Sequence, residues 1–187
     1  MQRAKTSGLS DHIDYKLRIL FVGINPSLRS AQLGHHYAGR SNRFWKLFNE
    51  TQFVDVPLTY HDDWRLPEWG YGLTNIVARP TVGIQELTAQ DYLNGRARLL
   101  AKVEHYKPMI IALLGITAKN MLLSGDLSTS LRKKQKQTSS RIGLQHQDFS
   151  ESLVFVLPNP SGRNAHYSFQ NMLRFFHQLR RLSKNIS

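Results

Sequence analysis

The chain has 187 residues, with 25 Lys plus Arg against 13 Asp plus Glu, a formal net charge of +12. Its 41% hydrophobic, 10% aromatic and 20% charged residues suit one compact globular domain and exclude disordered, collagenous and low-complexity classes. The absence of Cys excludes disulfides, thiolate nucleophiles, zinc ribbons and Cys-held iron–sulfur clusters, and no apolar run approaches the roughly 18 residues of a membrane span.

The opening stretch, MQRAKTSGLSDHIDYK, is polar and has no apolar h-region. It predicts a loose N-terminal segment, 1–16, ahead of a single domain, 17–187, in an intracellular protein. Such a protein is cytoplasmic and nucleoid-associated if bacterial, nuclear if eukaryotic. Leu17–Val22 is a short apolar run ending at Gly23 and reads as a buried strand. Ser41 is placed to cap a helix with Phe44, Leu47 and Phe48 on one face. Leu73–Val77 is a second strand. Thr88 and Asp91 resemble a capping box ahead of a stripe of Tyr92, Leu99, Leu100 and Val103. Met109–Leu114 is a third strand, Thr117–Leu123 a short helix, and Leu153–Leu157 a fourth strand stopped by Pro158. Ile142–His146 is expected to pair with Leu153–Val156 as an edge strand. Phe169–Leu182 closes the chain as a helix carrying Met172, Leu173, Phe176 and Leu179.

Continuous apolar strands alternating with helices predict a three-layer α/β/α domain around a mainly parallel sheet of four to five strands. Ligands of such sheets bind beyond the carboxyl ends of the strands, which points to the loops after Val22, Val77 and Leu157. The charge asks for a polyanionic partner. Arg132, Lys133, Lys134, Lys136 and Arg141 cluster in a Gln/Ser/Thr-rich stretch that offers sequence-independent phosphate attraction; Arg174, Arg180, Arg181 and Lys184 lie on or after the last apolar run.

The first strand is followed by Gly23-Ile24-Asn25-Pro26-Ser27 and then Gly34-His35-His36-Tyr37-Ala38-Gly39-Arg40-Ser41-Asn42. The last is followed by Pro158-Asn159-Pro160-Ser161-Gly162-Arg163-Asn164-Ala165-His166-Tyr167. These segments are too rich in Gly, Pro and Asn for a core, and they read equally as plain turns. There is no G-x-S-x-G elbow, Walker A loop, G-x-G-x-x-G or H-E-x-x-H. The adjacent His35-His36 pair is a poor chelate, so neither a metal nor a cofactor is expected.

GINPS with GHHYAGRSNRFWK, DDWRLPEWGYGLTNIVARPT and LPNPSGRNAHYS resembles the mismatch-specific uracil/thymine-DNA glycosylases of the uracil-DNA glycosylase superfamily. The resemblance runs from about Leu17 to the last helix. It implies a monomeric, metal-free, monofunctional glycosylase acting on double-stranded DNA with G·U or G·T mismatches. That enzyme flips out uracil, with thymine and other damaged pyrimidines left open, and leaves an abasic site in base excision repair.

Each role implied by the resemblance falls on a numbered position. Asn25 orients the attacking water through its carbonyl oxygen, and Thr74 helps to hold that water. Tyr37 stacks on the base, Ile24 lines the opposite side, and His36 and Asn42 lie near the pocket. In the insertion loop Ser161 grips a phosphate, through its backbone N–H if not its side chain. Arg163 stands at the wedge position, where bacterial members often carry Leu and thymine-DNA glycosylases carry Arg. Gly162, Ala165 and His166 lie near the orphaned guanine. Ser27 departs from the family's GINPG. Because an amide cannot take water's proton at neutral pH, general-base catalysis gives way to departure of the base as an anion. The alternatives are a catalytically inactive nucleic-acid-binding module of the same fold, or an α/β enzyme acting on a small phosphorylated or nucleoside substrate.

Overall fold

The computed structural model describes residues 8–123 and 142–186. The basic cluster of Arg132, Lys133, Lys134, Lys136 and Arg141 lies outside the described residues. Five strands form one sheet: β1 (Ile19–Gly23), β2 (Tyr71–Asn75), β3 (Ile110–Leu114), β4 (Gly143–Leu144) and β5 (Leu153–Leu157), in the order β2-β1-β3-β5-β4. All pairings are parallel except β4 on β5. The helices are α1 (Leu28–Leu33), α2 (Phe44–Glu50), α3 (Ala89–Tyr106), α4 (Ile116–Leu123) and α5 (Phe169–Asn185), with 3-10 turns at Tyr60–Trp69 and Ile84–Glu86. Among the described residues, no helix is long and apolar enough to cross a membrane.

The apolar strands are covered on both faces, as their unbroken runs require. Alternate strand residues Ile19, Phe21, Leu73, Ala112 and Phe155 pack with Phe44, Leu47, Phe48, Met172, Phe176 and Leu179 of α2 and α5. Phe21 meets the rings of Phe44, Phe53 and Phe48 at 5.3, 5.7 and 6.0 Å. The other face sets Leu20, Val22, Ile111, Leu113, Val154 and Val156 against Tyr92, Leu99 and Val103 of α3 and Ala118, Met121 and Leu122 of α4.

Several boundaries and caps differ from the sequence reading. The second strand runs Tyr71–Asn75 rather than Leu73–Val77, because Tyr71 pairs in register with Ile19 and the ladder closes at Gly23 and Asn75. The expected capping box of α3 is present, with Thr88 Oγ1 accepting from the Asp91 N–H at 3.1 Å. Ser41 does not cap α2: Arg43 is the N-cap, and Asn42 Oδ1 accepts the Phe44 N–H at 2.9 Å. The helix over 28–33 had no sequence signal beyond its capping Ser27, whose Oγ accepts from the Ser30 N–H at 3.1 Å.

Residues 8–16, part of the segment expected to be loose, touch β2 through His12 and the end of α3 through Tyr15 and Lys16. The His12 N–H donates to the Leu73 carbonyl at 3.0 Å, and the His12 carbonyl accepts from the Leu73 N–H at 2.8 Å. Asp11 pairs with Lys102 of α3 at 2.5 Å.

Candidate active site

In this strand order the chain leaves β1 first to one side, to β2, and then to the other, to β3. The crossover direction therefore reverses at the carboxyl ends of β1 and β3, where doubly wound sheets leave a crevice. A cavity of about 490 Å³ opens there. Its wall includes Gly23–Ser27 after β1, Asn75, Thr81 and Val82 after β2, Leu114–Thr117 after β3, and Pro158–Ser161 after β5. Neither an Asp, a Glu nor a Lys is among its described lining residues.

Asn25 lines this cavity with an amide whose two ends are not equivalent. Nδ2 donates to Thr81 Oγ1 at 2.7 Å, to the Arg79 carbonyl at 3.1 Å and to the Pro26 carbonyl at 3.3 Å. Thr81 Oγ1 passes its own hydrogen to the Gly83 carbonyl at 2.8 Å, so it can only accept from Asn25. Three acceptors around one end fix the amide rotamer by its network, and Oδ1 is left without a protein donor among the described residues. The Arg79 loop is itself clamped, its guanidinium holding Asp91 at 2.7 Å and the Glu86 carbonyl at 2.8 Å.

Thr74 does not share this wall. On β2 it points to the α3 face, where Oγ1 donates to Asp11 Oδ1 at 2.5 Å and accepts from Lys102 Nζ at 3.2 Å. The Thr beside Asn25 is Thr81, seven residues on. Thr81 carried no signal beyond lying after a strand end, a place the crevice rule had marked, and the cavity-lining Asn75 carried none, since it fell inside the expected strand Leu73–Val77.

The expected pocket residues Ile24, His36, Tyr37 and Asn42 all line the cavity. Tyr37 adopts φ 56° and stacks on Phe44 at 4.3 Å between centroids. Its hydroxyl is buried without a partner among the described residues, and burial raises its pKa, keeping the phenol protonated. Gly23 makes room beside it: a Cβ there would lie 2.5 Å from Asn75 Oδ1 and 3.2 Å from the Tyr37 hydroxyl. Asn42 spends Oδ1 on its cap, which turns Nδ2 into its free donor.

His36 is almost fully buried. Burial lowers its pKa to about 4, so the ring is neutral at pH 7. Nε2 donates to the Ser10 carbonyl at 2.8 Å, which leaves Nδ1 with the lone pair. Its backbone N–H donates to Asp63 Oδ2 at 2.7 Å. Burial alone would raise the Asp63 pKa, but the nearby His12 ring, with Nε2 at 3.4 Å, and the bonds from His35 and the His36 N–H outweigh it and hold the carboxyl below its ordinary value. Among the described residues this carboxylate organises the His35-His36 turn and stands outside the cavity.

In the loop after β5, Ser161, Arg163 and His166 line the cavity, while Gly162 and Ala165 do not. The Ser161 N–H donates to Asn159 Oδ1 at 2.9 Å and is not free for a phosphate. Its hydroxyl accepts the Arg163 N–H at 3.3 Å and keeps its own hydrogen. The exposed Arg163 guanidinium reaches across the mouth to the Val82 carbonyl at 3.0 Å.

The family model for the uracil DNA glycosylase superfamily matches residues 10–180. Among solved structures, the chain is similar to the solution structure of a protein from Methanosarcina acetivorans provisionally assigned as a uracil DNA glycosylase. The two share 18% identity at a TM-score of 0.60, over 95% of this chain and 98% of that one. At that identity the likeness speaks for the fold.

Proposed function

The chain belongs to the uracil DNA glycosylase superfamily, and we propose that it is a monofunctional enzyme excising uracil that faces guanine in duplex DNA. The observation that carries this reading is the Asn25 amide, its nitrogen spent on three acceptors and its carbonyl oxygen left free at a cavity with no carboxylate in its described wall. A free carbonyl oxygen can accept a hydrogen bond from water and aim that water at the sugar, but it cannot take the proton. The C1′–N1 bond therefore breaks ahead of attack, and the base leaves as an anion that later takes a proton from solvent. Water then adds its oxygen to C1′ and releases its proton to solvent. Rate enhancement rests on holding water and sugar in line and on preorganised dipoles, rather than on a strong base.

The rest of the cavity fits a flipped pyrimidine. Tyr37 supplies an aromatic face, Asn42 Nδ2 a donor suited to a carbonyl oxygen, and His36 Nδ1 an acceptor suited to an imide N–H. Thr81 takes the supporting role expected of Thr74. Mispaired uracil costs less to extrude than a paired base, which favours G·U substrates. Arg163 is the wedge, and a charge of +12 supports non-specific duplex affinity. An opened chain needs an amine nucleophile for strand cleavage, and no Lys is found in the described wall, so an abasic site is the product.

The deciding experiment incubates the protein with duplexes carrying uracil, thymine or hypoxanthine, each opposite guanine and adenine. Alkali-labile sites at G·U are the expected result. A duplex shift with no such site on any substrate would make the protein a binding module of this fold.

A further inference from the structure

Arg43 does not line the cavity, yet its hydrogen bonds span the loop after β5. Nη2 donates to the Ser161 carbonyl at 3.1 Å and the Asn164 carbonyl at 3.0 Å, and Nη1 donates to the Tyr167 carbonyl at 3.3 Å. Its backbone N–H donates to the Pro160 carbonyl at 2.9 Å. One residue thus ties down the loop at its start, its middle and its end. The packing agrees: a Cβ on Gly162 would lie 2.7 Å from the Ser41 carbonyl oxygen, so the loop rests directly on the Ser41–Arg43 turn.

The same turn serves the base pocket. Asn42 lines the cavity, and Phe44, the next residue after Arg43, supports the Tyr37 ring. We propose that Arg43 is a positioning residue that keeps the insertion loop in register with the base pocket, so that Arg163 enters the duplex where the nucleotide leaves it. This rests on the glycosylase reading for its substrate. A planar guanidinium can aim several N–H groups at separated carbonyls at once, which a Lys ammonium on a flexible stem cannot. Without the pin, the loop would have to be ordered during insertion, and the barrier rises.

The test uses the full chain, a G·U duplex, and a second duplex with 2′-fluoro-deoxyuridine opposite guanine and 2-aminopurine beside it, whose fluorescence rises when the loop unstacks it. The wild type is expected to raise the fluorescence on binding. Arg43→Ala and Arg43→Lys should bind within about threefold of wild type, give a much smaller rise, and lose at least about tenfold in kcat with KM nearly unchanged. Asn25→Ala should give the full rise and excise uracil about 10²-fold or more slowly. If Arg43→Ala does not fold, Gly162→Ala, which pushes the loop off Ser41, must show the same reduced rise.

A full rise or wild-type kcat in Arg43→Ala would overturn the inference, as would complete rescue by Lys. A wild type that excises without any rise overturns it and leaves the glycosylase reading standing. A wild type that gives the rise but no excision sinks the glycosylase reading, and the fluorescence of the variants still decides the role of Arg43.

Discussion

Asn25 Nδ2 and Thr81 Oγ1 lie 2.7 Å apart, joined across 56 residues of sequence, and the direction of that bond sets the polarity of the site. Thr81 can only accept, because its hydrogen goes to the Gly83 carbonyl. The Asn25 carbonyl oxygen is therefore the end left without a protein donor among the described residues, and on the proposed reading it is the end that holds the water.

Asn25→Ala should reduce excision of uracil from a G·U duplex by about 10²-fold or more, since an unaligned water loses most of the benefit of positioning. Duplex affinity should stay within about threefold, because phosphate contacts dominate it. Single-turnover rates and a mobility shift on the same duplex check both, and a parallel loss of the two would remove Asn25 from the chemistry.

Thr81 and Thr74 separate by substitution. Thr81→Val keeps the shape but lets the Asn25 amide turn, and kcat should fall about tenfold or more. Thr74→Val should leave kcat within about twofold and instead cost about 1 kcal/mol of stability, as Asp11 and Lys102 lose a shared partner. Urea unfolding alongside kinetics distinguishes them; the reverse pattern would restore the water-holding role to Thr74.

Acid should destabilise the fold through His36. Its pKa is lowered from 6.5 to about 4 by burial, so the unfolded chain binds the proton more readily than the folded one. Stability is intact above pH 6.5 and is lost as pH falls from 6.5 to about 4, by an amount on the order of 3 kcal/mol. The groups facing His36 are His12, Asp63 and Asp11. Asp63, whose pKa is also lowered, adds further loss in stronger acid as its carboxylate takes a proton. Thermal melts from pH 7.5 to 4 measure the slope, and His36→Gln should flatten the limb between 6.5 and 4.

Arg163 should tolerate an apolar wedge better than no wedge. Unstacking a base step costs a few kcal/mol, and each 1.4 kcal/mol, roughly, of lost compensation lowers the rate about tenfold. Arg163→Ala should thus fall by about tenfold on G·U while Arg163→Leu falls less. Equal rates for Arg163→Ala and wild type would show that nothing at this position enters the helix.

The sheet was legible because parallel strands covered on both faces must be apolar throughout, and Ile110–Leu114 and Leu153–Leu157 had no other reading. The strand-end loops were legible because their Gly, Pro and Asn content suits no core. Asn25, Tyr37, Ile24, His36 and Asn42 do converge on one cavity. Thr74 was chosen on its match to a family Thr; that Thr81, on the loop beyond β2, is the threonine that reaches Asn25 is a contact across 56 residues, and sequence spacing carries no such information. Arg43 was invisible for a similar reason: its three loop carbonyls lie 118 to 124 residues away.

Hydrophobic periodicity and turn chemistry are local properties, so residue order alone determined the α/β layering, the basic surface and the loops that gather at one end of the strands. The tertiary structure alone decided which end of the Asn25 amide is spent on protein acceptors, which threonine holds it, and which arginine holds the neighbouring loop. Those choices are hydrogen bonds between groups far apart in the chain, and they exist only once folding brings donor and acceptor within about 3 Å.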